Sequence, residues 1–178
     1  MEVFSRTLVA VDGSLASAFA VDLALRLARL PRYNAVRFVS VVEREALQAQ
    51  RSTDSRGPFP FEHVVAAAQA ESRRVLDEAI DRACMAQIEA TCTVREGRAA
   101  DAILEEALDY GATCIIVGTL GPQGSARAVL GSCAASVLRR SAVPVLIAHA
   151  PPMRHLQAAS SDAAEALRAP HEFTLGTA

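Results

Sequence analysis

The sequence predicts an α/β protein built on an open, doubly wound parallel sheet. Over residues 6 to 149, short β-branched runs alternate with longer Ala-, Leu- and Arg-rich segments of helical period. The apolar runs are continuous, as in strands buried on both faces. Strands that alternate with helices in this way form βαβ units, whose strands are parallel. Five strands and four helices are expected.

The first strand is the apolar part of "TLVAVDGS", ended by the Asp-Gly-Ser turn. Ser14 is placed to cap the helix that follows, in which Leu15, Phe19, Leu23, Leu27 and Leu30 fall on one face and Pro31 ends the run. "AVRFVSVVE" is the second strand. Residues Arg44 to Pro60 are polar, contain the breaker cluster "DSRGPFP", and read as a long surface loop. A long helix runs from Phe61 to about Gln87, with Val64, Val75, Leu76, Ala79, Ile80 and Ala83 as its apolar members. "IEATCTVREG" is the third strand. "AADAILEEALDYG" is a helix closed by Gly111, and "TCIIVGT" is the fourth strand. "ASVLRR" is a short helix and "VPVLIAH" the last strand. These elements define one domain over residues 1–149. Residues 150–178 open with two prolines, offer little apolar surface, and are expected to form a mobile tail.

Composition narrows the function. About half of the residues are hydrophobic (51%) and 21% are charged, the balance of a globular chain. Aromatic residues are 4% with no Trp, and the net charge is −2, which argues against nucleic acid or an anionic membrane as a partner. The N-terminus shows no signal-peptide pattern and no apolar run reaches membrane-spanning length, so the expected location is the cytoplasm. Cys84, Cys92, Cys114 and Cys133 have no CxxC spacing, and three of them fall in element interiors, where a reduced cysteine acts as a small hydrophobe. "SRRVLDEAIDR" on the long helix reads as a solvated charged face.

In an open α/β sheet, ligands sit beyond the carboxyl ends of the strands where the strand order reverses. The two candidate walls are the turn after the first strand, "VDGS", and the segment after the fourth. That segment carries Gly118, Gly121, Gly131 and Ser132 in the spacing G-x2-G-x9-G-S. Gly118 and Gly121 let main chain approach a ligand and adopt positive φ. Gly131-Ser132 opens a helix whose free N–H groups favour an anion. Ser132 caps that helix, donates to a phosphate, or does both. No Lys occurs here, so the P-loop pattern is not met, and the dinucleotide fingerprint belongs after the first strand. Arg127 is the loop's one cation, as a phosphate contact or as an exposed loop residue. Asp12 is either a turn former or a ribose and metal ligand. Cys133 sits where a helix N-terminus stabilises a thiolate, though an inert small residue is the simpler reading.

"VAVDGS", "EGRAADAILEEALDYGATCIIVGTLG" and the glycine motif followed by "VPVLIA" together resemble the universal stress protein family, in matching order over roughly residues 5 to 149. The resemblance implies a Rossmann-like, adenine nucleotide α-hydrolase-like fold with five strands in the order 3-2-1-4-5. It implies ATP as ligand for members with the full motif and no nucleotide for those without it. By position, Ala10, Val11 and Asp12 match the first-strand turn, whose acid lies near ribose and a nucleotide-borne Mg2+. Val41 matches a residue lining the adenine pocket. Val117 and Gly118 flank base and ribose, with Gly121, Gly131, Ser132, Cys133 and Ala134 around the phosphates. Leu120 departs from the family, which commonly has a basic or imidazole side chain there.

No base-paired nucleophile, carboxylate pair or metal cluster is visible, so the expected role is an ATP-binding regulator acting through protein partners and not a dedicated enzyme. The alternative is an interaction module of the same fold that binds no nucleotide; a weak ATPase is a third reading. The last strand, Val143 to His149, would leave an apolar edge, and a homodimer joined there covers it, as the resemblance also implies.

Overall fold

The computed structural model describes residues 5–30, 35–53, 60–119 and 130–149. Five parallel strands, β1 (Arg6–Ala10), β2 (Ala35–Val42), β3 (Ala90–Glu96), β4 (Cys114–Gly118) and β5 (Val145–Ala148), form one sheet in the order β3-β2-β1-β4-β5. The described helices are α1 (Leu15–Leu27), α2 (Arg44–Thr53), α3 (Phe61–Met85), α4 (Ala99–Tyr110) and α5 (Ser132–Arg140). The chain steps outward from β1 to β2 and β3, then returns to place β4 on β1's other side. The order therefore reverses between β1 and β4.

Alternation along the strands builds a core on each face. Leu8 pairs in register with Ile115, and Val9 with Phe38 and Ile116. Val9, Phe38 and Ile116 pack against Ala20, Val21 and Ala24 of α1 and Val75, Leu76 and Ala79 of α3. Leu8, Val39, Ile115 and Val117 face the opposite way, toward Ile103, Ala107 and Tyr110 of α4 and Ala134 and Val137 of α5. Each fully buried Leu, Ile or Val contributes on the order of 1.5–3 kcal/mol. Two helices on each side account for the continuous apolar runs.

Two expected signals act as read. Ser14 caps α1, its Oγ accepting the Ser17 N–H at 3.1 Å, and Gly111 ends α4 in the left-handed region at φ 66°. The charged face of α3 is exposed, with Arg74 paired to Glu71 and Glu78 at helical spacing.

Several expectations are corrected. Residues 44–53 are a helix, not part of a loop. α1 turns its small residues inward: Ala16, Ser17, Ala20, Val21, Ala24 and Leu25 are buried, whereas Leu15 and Leu30 are about half exposed, at 52% and 51%. Small side chains bring the helix axis close to the sheet, and Phe19, Leu23 and Leu27 cover the flank of that contact. On α3, Val65 is buried and Val64 only partly so. Cys84 and Cys92 are exposed and only Cys114 is fully buried; all four thiols are free.

One buried charge lies on the α4 face. The Glu106 carboxylate is 2% exposed and accepts from Arg37 Nη1 at 3.0 Å and Arg95 Nε at 2.5 Å. A carboxylate this deep is tolerable only with both oxygens partnered. Tyr110 lies beside the network under Arg6 and Arg37, whose guanidinium carbons are 4.4 and 4.3 Å from the ring centroid. This network ties β1, β2 and β3 to α4 on the far side of the strands from α1.

Candidate functional site

At the carboxyl ends of β1, β2 and β4 a cleft of about 670 Å³ opens, within the range of small-molecule sites. The first-strand turn and the segment after β4 both line it. Ala10, Val11, Asp12, Val41, Val117, Gly118, Gly131, Ser132, Cys133 and Ala134 all take part in the wall. Gly121 and Arg127 lie outside the described residues, as does Leu120.

The first-strand side is a tight turn. Asp12 Oδ1 accepts the Ser14 N–H at 2.9 Å, and Gly13 sits at φ 76°, where a Cβ would also press on Val75 Cγ1 at 3.1 Å. Asp12 is therefore a turn former, and it also lines the cleft.

The β4 side differs from expectation in two respects. Gly118 does not adopt positive φ. A Cβ there would lie 2.8 Å from the Ala16 carbonyl carbon and 3.0 Å from the Ser17 nitrogen. This glycine lets the small-residue face of α1 pass against the end of β4, and it also lines the cleft. The helix after the glycine motif begins at Ser132, three residues before "ASVLRR", and Gly131 is its N-cap at φ −69°, ψ 159° with no side-chain cap bond. Ser132 does not cap the helix. It is the first helical residue, and its exposed hydroxyl lies on the cleft. The Gly131 N–H donates to the Thr119 carbonyl at 2.6 Å, and the Thr119 N–H to the Ala148 carbonyl at 2.9 Å. Those bonds clamp the ends of the glycine segment to β5. The amides of Ser132, Cys133 and Ala134 belong to the first turn, where helix geometry leaves N–H groups without intrahelical partners.

Cys133 is not an activated thiol. Burial pushes it up to about 11, and the Glu43 and Asp12 carboxylates add to the effect, so it stays protonated at neutral pH in spite of the helix dipole.

Sequence reasoning missed several lining residues. Ser40 and Glu43 come from the end of β2, Thr119 from the end of β4, Ala46, Leu47 and Gln50 from α2, and Ala68, Glu71 and Ser72 from α3. Glu43 could have been found: it directly follows the second apolar run, and strand order places that end beside the first. The α2 residues lie on a segment expected as loop, whereas α3 was expected as a helix and only its packing shows which of its residues reach the cleft. Glu43 has a structural task, its Oε1 accepting the Ala99 N–H at the start of α4 at 2.7 Å. Glu71 is held below the usual carboxylate range by its hydrogen bond to Arg74. Among the described lining residues there are three carboxylates, Asp12, Glu43 and Glu71, and no Lys, Arg or His. Nor do the described residues form a group of three or more His, Cys, Asp or Glu able to hold a metal ion.

The universal stress protein family model matches residues 4–149. The chain belongs to the universal stress protein family. Within that family it is 32% identical over 148 residues to universal stress protein YxiE of Bacillus subtilis (strain 168), a match covering 82% of this chain and 99% of YxiE. It is similar to a family member from Burkholderia pseudomallei, at 28% identity and a TM-score of 0.62 over 82% of this chain and 96% of that one. It is also similar to a universal stress protein solved in complex with cAMP, at 28% identity and a TM-score of 0.58 over 82% and 97% of the two chains. The order β3-β2-β1-β4-β5 is the one that membership implies. No described helix is long and apolar enough to cross a membrane.

Proposed function

We propose that this universal stress protein binds an adenine nucleotide in the cleft and acts as a nucleotide-dependent regulator through protein partners in the cytoplasm. The observation that carries the reading is the N-terminus of α5, which has no side-chain cap and opens onto a ligand-sized cleft. Such a terminus favours an anion through its amides and its dipole. The relative solved with cAMP supports an adenine nucleotide as that anion's carrier. In this assignment Val41 lies against the base, and Ala10, Val11 and Asp12 face the ribose. Val117 and Gly118 form the wall between base and ribose. The amides of Ser132, Cys133 and Ala134 and the Ser132 hydroxyl receive phosphate oxygens, with Gly121 and Arg127 assigned to the same end.

ATP with Mg2+ fits the residues in one form only. No protein cluster for the metal occurs among the described residues, so an ion would arrive with the nucleotide, and Asp12 is the residue that would hold it. When bound it neutralises phosphate charge; positioning the nucleotide is left to the chain's own groups. The second reading, an interaction module without nucleotide, is favoured by the lack of a cation among the described lining residues.

Freshly purified protein, denatured and examined by mass spectrometry, is expected to release an adenine nucleotide. A Gly131→Ala/Ser132→Ala double variant is expected to release much less. An empty wild type with no thermal shift in millimolar nucleotide supports the second reading instead.

The partner we propose for the last strand is a second copy of the chain. Among the described residues β5 pairs only with β4 and ends the sheet, with Val145, Leu146 and Ile147 half-buried along it. Pairing across Val143 to His149 covers that edge. Light scattering at micromolar concentration is expected to give the mass of a dimer, and a monomer mass rejects this pairing.

A further inference from the structure

We infer that the half of the cleft on the α1 and α3 side of the sheet is a separate compartment for a small uncharged molecule. Its ligand has a short apolar body and a hydrogen-bonding head, such as a primary amide or an alcohol. The compartment is independent of the phosphate position at α5 and of whether a nucleotide binds there.

Strand alternation divides the cleft. Along β2, Val39 and Val41 face α4 and α5, so Ser40 and Val42 face the other way, toward α1 and α3. Val11 and Val75 belong to the core on that side, and α3 packs on β2 there. Ser40, Val42, Ala68, Ser72 and Val75 all line the cleft.

Two hydroxyls set this half apart. Ser40 is 3% exposed and Ser72 8%, yet neither side chain has a hydrogen-bond partner among the described residues. Ser72 does not bond back to the preceding turn of α3, the usual recourse of a serine inside a helix. Among the described residues every fully enclosed side-chain oxygen or nitrogen does have a partner. What surface these two hydroxyls keep is therefore turned to the opening that they line, the cleft. Neighbouring polar groups are already engaged: Ser17 Oγ donates to the Ser14 carbonyl at 3.0 Å, and Glu71 pairs with Arg74. Buried polar groups are nearly always hydrogen-bonded, so the two exceptions call for a partner from outside the chain.

The wall also sets the chemistry of that partner. Each serine hydroxyl both donates and accepts, which suits a head that offers both functions. Val11, Val42, Ala68 and Val75 supply aliphatic surface for a short apolar body. A charged head is poorly served. The Glu71 carboxylate, held below its usual range by Arg74, stands against an anion, and its pairing with Arg74 leaves little for a cation.

An NMR titration of isotope-labelled full-length protein with butyramide tests this. Millimolar butyramide is expected to shift the Ser40 and Ser72 amide signals and the Val11 and Val75 methyl signals. Butyrate and butylammonium, of the same size but charged, are expected to act there at least about tenfold more weakly. Ser40→Ala and Ser72→Ala are each expected to weaken butyramide about three- to tenfold, the worth of one neutral hydrogen bond. Both variants should keep or raise the Tm, since no bond within the chain is lost. Saturating AMP is expected to leave the butyramide affinity in place. Absence of shifts at these residues means that water alone fills the compartment and overturns the inference. Equal binding of the charged analogues, unchanged affinity in both serine variants, or displacement by AMP overturns it too. AMP that fails to bind counts against the nucleotide reading alone.

Discussion

Replacing Ser132 by Pro is expected to lower adenine-nucleotide affinity by about ten- to a hundredfold while leaving the protein folded with nearly unchanged stability. Ser132 is the first residue of α5, and Pro is well tolerated there because the N–H it lacks has no helical partner. The preceding Gly131 already has φ −69° and ψ 159°, extended values that suit a residue before Pro. The helix therefore keeps its start and loses one amide donor and one hydroxyl at the proposed phosphate position. A hydrogen bond to a charged group contributes about 1.5–3 kcal/mol, which sets the expected range. Ser132→Ala separates the two losses, since it removes the hydroxyl and keeps the amide; it should fall between wild type and the Pro variant. Calorimetric affinities beside urea denaturation make the comparison. Unchanged affinity in a stable Pro variant would show that α5 does not hold the ligand.

Gly118→Ala is expected to destabilise the protein by about 1–3 kcal/mol, the usual cost of forcing a methyl group into a filled contact. The added Cβ would stand 2.8 Å from the Ala16 carbonyl carbon, 2.9 Å from the Ala16 Cβ and 3.0 Å from the Ser17 nitrogen. Two of those atoms are backbone, so no side chain can swing aside and α1 itself has to shift. Because the Asp12 turn leads directly into α1, nucleotide affinity should fall together with stability. A drop of 2–4 °C in Tm per kcal/mol is expected for a domain of this size. If Gly118 served only for close approach of a ligand, the variant would lose affinity at wild-type stability. Differential scanning calorimetry with and without nucleotide separates these outcomes.

Much of this protein was legible because its signals are local. Buried parallel strands need uninterrupted apolar runs, and all five runs became strands. Ser14 and Gly111 act where they stand because capping is decided by a few backbone atoms. Ten of the residues expected at the site line one cleft, since strand order dictates which turns meet and the family resemblance supplied that order.

Tertiary structure alone decided the rest. Leucine spacing pointed to a face of α1 that is only partly buried: Phe19, Leu23 and Leu27 flank the core, while the alanines, which bring the helix closest to the sheet, fill its centre. Gly118 lines the cleft, and its second task, letting Ala16 of α1 pass close to the end of β4, was not visible in the sequence. Residues 44–53 looked polar enough for a loop, yet they form α2 and close one side of the cleft. Glu43 and Glu106 acquire their tasks from partners 56 and 69 positions away, the Ala99 amide and Arg37. Periodicity and capping are properties of neighbouring residues, and the sequence by itself determined the strands, the caps and the motif that opens α5. Helix faces, close approaches and the partners of buried charges depend on contacts between segments far apart in the chain, which arise only when the sheet is assembled.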